Sequence, residues 1–178
     1  GGNWKQFIKI GMEDSISTDA IQFDKSGKIL YMGDSRGRNT AALSALNSET
    51  GEQTILASDS RADLSDVMIH PTEKNVDAVA FTYDRKAWQP LNEAAAGDLS
   101  YLCTVAQGDI DVVSRTLSDE AWIVAYNIDD GPVRYYHYDR DAKQAKFLFT
   151  NRKALEGLPL TRMNPVVTRS RDGLDLLC

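Results

Sequence analysis

Short apolar stretches with the alternation of β-strands, separated by polar turns, dominate this chain of 178 residues. In the first third, four such stretches follow one another, and each turn between them contains residues that favour tight turns. The stretches are AIQFD, ILYM, TAALSALN and QTILA, and the turns are DKSGK, GDSRGRN and SETGE. Four short strands in this order predict an antiparallel meander.

The same order of strands and turns returns in the last third of the chain. There the strands are DIDVVSRTL, AWIVAYNI, VRYYHYD and AKFLF. Matching landmarks lie about 93 residues apart, as from Leu30 to Ile123 or from Leu46 to Tyr138. Half of this offset predicts a middle copy from about residue 66, where DVMIHPTEKNVDAVAFTYD supplies two strands and a turn. The second half of the middle copy differs and predicts a strand followed by a short helix around NEAAAGDLSYL.

A period of 40 to 50 residues with four strands per repeat is typical of β-propeller blades. The prediction is an all-β fold, a partial β-propeller of about three four-stranded antiparallel blades with one short helix insertion. A β-sandwich with coincidental spacing is the alternative. The predicted boundaries are the end of a preceding blade or a linker at 1–17, and blades at about 18–62, 63–107 and 108–150.

Composition excludes several functions. The net charge is −6 and the basic residues are scattered among acidic ones, which argues against a nucleic-acid partner. No run of 18 apolar residues occurs, so no membrane span is predicted. The opening GGNWKQF lacks the features of a signal peptide, and the compartment stays open between cytoplasm and periplasm.

No cofactor or metal site is predicted. Cys103 and Cys178 are too few for a disulfide framework and lack the companions of a zinc site. Asp59, Asp63 and Asp66 lack the spacing of a calcium loop and are interpreted as solvated. The large aromatic residues of the predicted strands are interpreted as core or inter-blade packing; they are Trp88, Trp122, Tyr135 and Tyr136.

One motif suggests catalysis. Gly33-Asp34-Ser35-Arg36-Gly37 matches G-x-S-x-G, the nucleophile elbow of α/β-hydrolases, in which a strand, a strained turn and a helix expose the serine. Only 34 residues precede Ser35, too few for the strands that come before the elbow in such a domain. At the equivalent position two repeats later the sequence has the turn DDGP. We therefore interpret Ser35 as part of an inter-strand turn. A small serine esterase using Ser35, which needs a helix over 39–47, is the less favoured alternative.

Such a serine also needs a general base, and the chain has only two histidines, His70 and His137. His70 precedes a proline at a strand end, and His137 alternates with tyrosines on a strand, so both predict structural roles. A serine without an activating base is a poor nucleophile at neutral pH. The prediction is that this chain carries no catalytic, cofactor-binding or metal-binding residue.

The last third of the chain carries a specific string of residues. It includes Trp122, Gly131-Pro132, Tyr138-Asp139-Arg140, Leu148-Phe149, Arg152, Leu155, Leu160, Met163-Asn164-Pro165 and Arg171-Asp172-Gly173-Leu174. Over 108–178 this string resembles the prolyl oligopeptidase family of serine peptidases, in particular its bacterial acylaminoacyl-peptidase-like members. Over 20–107 the resemblance is limited to the rhythm of the blades.

The resemblance implies that the chain is the C-terminal part of the family's β-propeller domain. Residues 151–178 would then form the linker and the first strand, at Arg171-Asp172-Gly173-Leu174, that lead into an α/β-hydrolase domain missing from this chain. The family's catalytic serine, aspartate and histidine lie beyond that strand, so none can be placed here. The paired glutamates with which some members hold a substrate's amino terminus are not seen either.

In the intact enzyme, the resemblance implies a propeller that gates the access of peptide substrates to a Ser-Asp-His site. The chain alone is predicted to be inactive. Three blades of a ring leave exposed faces and edges on the terminal blades, which predicts self-association. A stand-alone interaction module built from the same blades is the other alternative.

Overall fold

The computed structural model describes residues 6–178, and the chain divides after Ser65 into two compact units. The strands are β1 (Asp19–Phe23), β2 (Ile29–Asp34), β3 (Ala42–Asn47), β4 (Gln53–Ala57), β5 (Leu64–Ile69), β6 (Val76–Thr82), β7 (Lys86–Pro90), β8 (Asp109–Arg115), β9 (Ala121–Asn127), β10 (Arg134–Asp139), β11 (Gln144–Thr150), β12 (Val167–Arg169) and β13 (Asp175–Leu177). The α-helix is α1 (Glu93–Val105), and a single 3-10 turn covers Lys153–Leu155.

The first unit is built on an antiparallel sheet of order β1-β2-β3-β4. Its two central strands are largely buried, as expected for strands that are paired on both sides. The buried side chains of Leu30, Met32 and Leu46 form a small apolar cluster, and Ile8 packs against it from the segment before β1. This sheet is the antiparallel meander that the alternation of the sequence predicts.

The second unit contains a three-stranded sheet of order β5-β6-β7, the helix α1 and a four-stranded sheet of order β11-β10-β9-β8. Its core is one contiguous cluster in which residues of α1 pack with residues of both sheets. Trp122 is 1% exposed, and Tyr126 and Tyr138 are fully buried beside it. The buried residues of the cluster are Met68, Ala78, Leu99, Leu102, Ile110, Trp122, Val124, Tyr126 and Tyr138.

The two four-stranded sheets repeat each other with an offset of 92 residues. Adding 92 to Ala42–Asn47 gives Arg134–Asp139, which are the bounds of β3 and β10. By the same offset Leu30 corresponds to Trp122, and both are buried. The repeat is confirmed, but the pairing of Leu30 with Ile123 was wrong by one residue, because sequence matching aligned similar side chains rather than the register of the strands.

Irregularities of the backbone repeat with the same offset. The register shifts in the first strand of each sheet at Ile21 and Val113, and in the last strand at Leu56 and Leu148. Each pair is 92 residues apart. Because a β-bulge bends its strand and increases the local twist, matching bulges give the two sheets matching shapes.

The turns between the first two strands repeat every 46 residues across all three sheets. At Asp24, His70 and Thr116 the backbone N–H donates to the carbonyl oxygen five residues later. The side chains at these positions also accept backbone N–H groups of the same turn, at Ile29 in the first case and at Glu73 in the second. The middle sheet therefore follows the same plan as its neighbours in sequence.

The middle sheet departs from the prediction of four strands. It has three strands, and α1 follows in place of a fourth. The helix begins where Asn92 caps it, its side chain accepting a hydrogen bond from the N–H of Ala95, and the alanine-rich first turn favours helix. The predicted short helix is confirmed.

The C-terminal segment also differs from the prediction. Arg171-Asp172-Gly173-Leu174 is not a strand but the turn of a hairpin between β12 and β13, in which Gly173 has a φ of +86°. Glycine is favoured there because other residues are strained at positive φ. Of the predicted blade end at 1–17, residues 1–5 lie outside the described residues, and 6–17 form an irregular segment with turns. From residue 6 onward, no helix has the length and apolar character needed to cross a membrane.

Candidate functional site

Ser35 lies directly after β2, in the polar connection to β3, and its side chain is buried. Its hydroxyl donates to Oδ1 of Asp14 over 2.9 Å and accepts from the hydroxyl of Ser17 over 2.9 Å. Thr18 approaches the same hydroxyl at 3.0 Å and accepts the backbone N–H of Ser35. These contacts fasten the connection between β2 and β3 to the segment that precedes β1.

The surroundings of Ser35 contradict the esterase alternative. The helix needed over 39–47 is absent, because 42–47 form strand β3. The side chains bonded to the hydroxyl of Ser35 come from Asp14, Ser17 and Thr18, and none is an imidazole. A strand-turn-strand geometry with this hydrogen bonding gives neither an exposed nucleophile nor a base to activate it.

The two histidines lie where the sequence predicts, one in a turn and one on a strand. His70 closes the turn after β5, where Nδ1 accepts the backbone N–H groups of Thr72 and Glu73. Its Nε2 lies 3.7 Å from Oδ2 of Asp119. His137 is exposed on β10. Because Nδ1 of His70 accepts two N–H groups, the neutral ring carries its proton on Nε2, which faces the carboxylate.

The remaining candidates from the sequence are placed apart from one another. Oδ1 of Asp59 accepts the N–H groups of two residues of its own turn, and Asp63 accepts the N–H of Ala41. Asp66 pairs with Lys86 over 2.6 Å. Cys103 and Cys178 are both exposed and free. Within 6–178, no three potential ligands are grouped to hold a metal ion.

A buried group of charged residues surrounds Trp122 in the second unit. We call it the Asp119 cluster, and it consists of Asp77, Asp98, Arg115, Asp119 and Arg140. Asp119 accepts hydrogen bonds from both arginines and from Nε1 of Trp122, the last over 2.7 Å. The two guanidinium groups also lie over the Trp122 ring, at 4.8 and 4.7 Å from its centroid. Cation–π contact therefore adds to the ion pairs.

Each arginine of the Asp119 cluster reaches a second carboxylate. Arg115 donates to Asp77 over 2.8 Å, and Arg140 donates to Asp98 over 2.6 and 2.8 Å. Asp98 lies on α1 and Asp77 on β6, so the cluster ties the helix and the middle sheet to the third sheet. Burial would raise the pKa of Asp98, but hydrogen bonds to its charged form outweigh burial and hold that pKa below its usual value.

An open groove of about 640 Å³ lies at the end of α1. The linker after β11 is fastened beside it, because Arg162 donates to Asp130 over 2.8 Å and the N–H of Met163 donates to Asp129 over 2.6 Å. Asp129 also pairs with Arg85, in the turn between β6 and β7. Because arginines pair with both Asp129 and Asp130, this side of the groove is a joint between the linker and the sheets.

In the first unit the pKa of Asp34, at the end of β2, departs strongly from its usual value. Its carboxylate accepts the Arg36 guanidinium over 2.8 and 2.6 Å, and it also accepts the side-chain amide of Gln53. The hydrogen bonds from Arg36 are the main reason that the pKa of Asp34 is lowered to about 2. Together with Arg38 these residues line a polar groove of about 410 Å³.

Replacing Asp34 with asparagine is expected to lower the free energy of unfolding of the first unit by about 2 kcal/mol near neutral pH. A folded-state pKa below the unfolded value means that the contribution is present above about pH 4 and is lost as the pH falls towards about 2. Urea titration followed by hydrogen exchange in 29–47 measures it. Glu52→Gln, an exposed control, should change stability by less than about 0.5 kcal/mol. An equal difference between wild type and Asp34→Asn at about pH 2 and about pH 7 would contradict the assignment.

The Asp119 cluster was not predicted from the sequence. Its members are spread over three elements, β6, α1 and β8, and the turns that follow β8 and β10, so no short stretch of sequence contains them together. The one available signal was Tyr138-Asp139-Arg140, which the resemblance singled out, because Tyr138 and Arg140 both bond to Asp98. Spacing alone did not indicate that these charges are buried.

Comparison with known proteins gives two relatives in sequence, while no family model matches the chain. The chain is 41% identical over 176 residues to dipeptidyl aminopeptidase BIII of Pseudoxanthomonas mexicana, covering 99% of this chain and 26% of that protein. It is 31% identical over 177 residues to dipeptidyl peptidase family member 6 of Caenorhabditis elegans, covering 97% of this chain and 24% of that protein. The chain spans about a quarter of the length of these relatives.

Solved structures give the same result for the fold. The chain matches prolyl oligopeptidase B of Galerina marginata without ligand with a TM-score of 0.57 and 13% identity, over 98% of this chain and 25% of that one. It matches a structure from a study of two prolyl endopeptidases with a TM-score of 0.56 and 10% identity, over 90% and 23%. At these identities the likeness concerns the fold alone. The all-β arrangement of four antiparallel sheets and one helix resembles the propeller domain of prolyl oligopeptidases.

Proposed function

We propose that this chain, a segment of the prolyl oligopeptidase family, is a non-catalytic part of a β-propeller that gates the access of peptides to a Ser-Asp-His site in an α/β-hydrolase domain. The observation that carries the proposal is the repeat of strands, turns and bulges at 92 residues, combined with similarity to two peptidases over nearly the whole chain. Within the proposal, the blades span about 18–62, 63–107 and 108–150, and 151–178 lead towards the hydrolase domain.

Gating requires a propeller wall that keeps its shape while peptides pass. The helix α1 and the Asp119 cluster support such a role, because they join the middle and third sheets by packing and by ion pairs. The linker is fastened to the end of the same unit by Arg162 and Asp130. In this proposal the substrates are peptides short enough to enter a ring of stacked sheets, and folded proteins are excluded.

The purified chain is expected to show no hydrolysis of dipeptidyl p-nitroanilides or short esters. In a protein that joins this chain to the proposed hydrolase domain, Ser35→Ala should leave kcat/KM within about twofold of the unmodified protein, because the hydroxyl of Ser35 bonds only to side chains of the segment before β1. Steady-state kinetics with a short chromogenic peptide measures both.

The same joined protein tests gating through substrate size. It should cleave a short peptide and leave the same sequence uncut when it is displayed on a folded protein. Efficient cleavage of the displayed sequence would overturn gating. Hydrolysis by the isolated chain that disappears in Ser35→Ala would overturn the non-catalytic assignment.

We also propose that exposed edges of the terminal sheets mediate self-association. Twenty large apolar side chains among the described residues are exposed, and several lie on edge strands. An edge strand with apolar side chains and unpaired backbone groups is a template for another strand.

A further inference from the structure

Strand β4 is an apolar edge with acidic ends. It is the terminal strand of the first sheet, and Ile55 and Leu56 are 49% and 37% exposed. Glu52 precedes the strand and is exposed, as is Glu49, which pairs with Lys28 over 3.1 Å, and Asp59 follows the strand. No charged residue lies within Gln53–Ala57 itself, so the usual protection of an edge by lysine or proline is absent.

Strand β11 is an apolar edge with basic residues at both ends. It is the terminal strand of the third sheet, and its most exposed apolar side chains are Phe147 at 49% and Phe149 at 54%. Lys146 stands near its beginning, and Arg152 and Lys153 follow its end. All three are exposed. In a protein with a net charge of −6, this grouping of positive charge around an apolar strand is a local exception.

We propose that the β4 edge of one copy of this chain pairs in antiparallel fashion with the β11 edge of a second copy. In that direction Glu49 and Glu52 meet Arg152 and Lys153, while Asp59 at the other end meets Lys146. Opposite charges at both ends select the partner, and the exposed apolar side chains between them are removed from water. The inference rests on the self-association part of the proposed function and is independent of gating.

The same charges disfavour the two symmetric pairings. If β11 paired with β11 of another copy in antiparallel fashion, Arg152 would stand beside Lys146 of that copy. If β4 paired with β4, Glu52 would stand beside Asp59. Like charges opposite each other across a strand pair are destabilising, so a contact between unlike edges is preferred.

The bulges limit the strength of this contact. Leu56 and Leu148 interrupt the regular ladder of their own strands, and a bulge turns part of an edge away from a partner. Only a short ladder of backbone hydrogen bonds can form between the two edges. The charged residues should therefore contribute a large share of the binding free energy. Because exposed charges are screened by salt, the dissociation constant should rise at least about tenfold from about 50 mM to about 500 mM NaCl.

The test uses the full chain with lysine placed on one edge at a time. Leu56→Lys blocks β4 and leaves β11 intact, and Leu148→Lys does the reverse. Each variant alone is expected to be monomeric in sedimentation velocity, and their equimolar mixture is expected to form a 1:1 dimer through the remaining pair of edges. Val113→Lys, at the equivalent exposed bulge of β8, the opposite terminal strand of the third sheet, is the matched control and should associate as the wild type does.

Charge exchange gives a second test that leaves the apolar residues in place. Glu52→Arg or Arg152→Glu alone should weaken association at least about tenfold, and a mixture of the two variants should restore it. Association of Leu56→Lys alone with wild-type affinity would overturn the unlike pairing and leave self-association standing. A monomeric wild type at about 100 µM in low salt would overturn both, without affecting the gating proposal.

Discussion

Asp119→Asn is expected to lower the free energy of unfolding of the second unit by about 3 kcal/mol, because it leaves two partly buried guanidinium groups without their shared carboxylate. Asp119 is 3% exposed and accepts hydrogen bonds from Arg115, Arg140 and Trp122. An asparagine side chain has the same shape but carries no charge. Asparagine also tolerates the φ of +61° at this position, so the backbone does not contribute to the loss.

Urea unfolding followed by tryptophan fluorescence measures this change, since Trp122 is in direct contact with the cluster. The matched control is Asp141→Asn, the same chemical change on an exposed turn two residues after β10, with an expected effect below about 0.5 kcal/mol. If Asp119→Asn were as stable as its control, the cluster would not hold the second unit together.

The expected loss is the cost of removing one partner from the cluster. It is not the net contribution of the complete cluster to the free energy of unfolding. Taking five charged side chains out of water costs several kcal/mol per ion, and their mutual attraction offsets that cost only when every partner is present. The cluster is complete in this sense, since among the described residues no buried side-chain nitrogen or oxygen lacks a hydrogen-bond partner. Its main consequence is to position α1 and the middle sheet against the third sheet.

The strands and most turns could be predicted because their signals are local. Alternation along a strand and turn residues at its ends need no knowledge of the rest of the chain, and β3 and β10 were both predicted in this way. The predicted spacing of the repeat was wrong by one residue, because Leu30 and Trp122 occupy equivalent buried positions although their side chains differ. Packing on a common core, rather than similarity of side chains, determines the register.

The buried ion pairs could not be predicted, because burial of a charge depends on partners that are distant in sequence. Asp98 follows three alanines and a glycine and precedes a buried leucine, which indicates a helix but not a carboxylate bonded to Arg140 forty-two residues away. The Arg171-Asp172-Gly173-Leu174 turn was missed for the opposite reason. Its Asp-Gly pair is a local turn signal, and the family resemblance was given more weight.

Gly108→Ala is expected to destabilise the second unit by about 3 kcal/mol or more. Gly108 joins α1 to β8 with a φ of +127°, a conformation that residues with a Cβ rarely adopt. An added Cβ would also lie 2.6 Å from the carbonyl oxygen of Asn127 and 2.7 Å from Cγ2 of Ile128. The first of these atoms belongs to the backbone of the adjacent strand β9, so it cannot move aside without disturbing the pairing of Asp109 with Asn127.

Gly97→Ala in the same unit is the matched control, and its effect should have the opposite sign. Gly97 is an exposed position inside α1, and a Cβ added there meets no atom within 4 Å. Alanine should therefore stabilise the helix by about 0.5 to 1 kcal/mol. Thermal or urea unfolding of both variants separates the general effect of replacing glycine from the specific geometry at Gly108. If both variants were stabilised, Gly108 would not lie as close to β9 as the structure shows. The connection between α1 and β8 would then not determine how the helix packs on the third sheet.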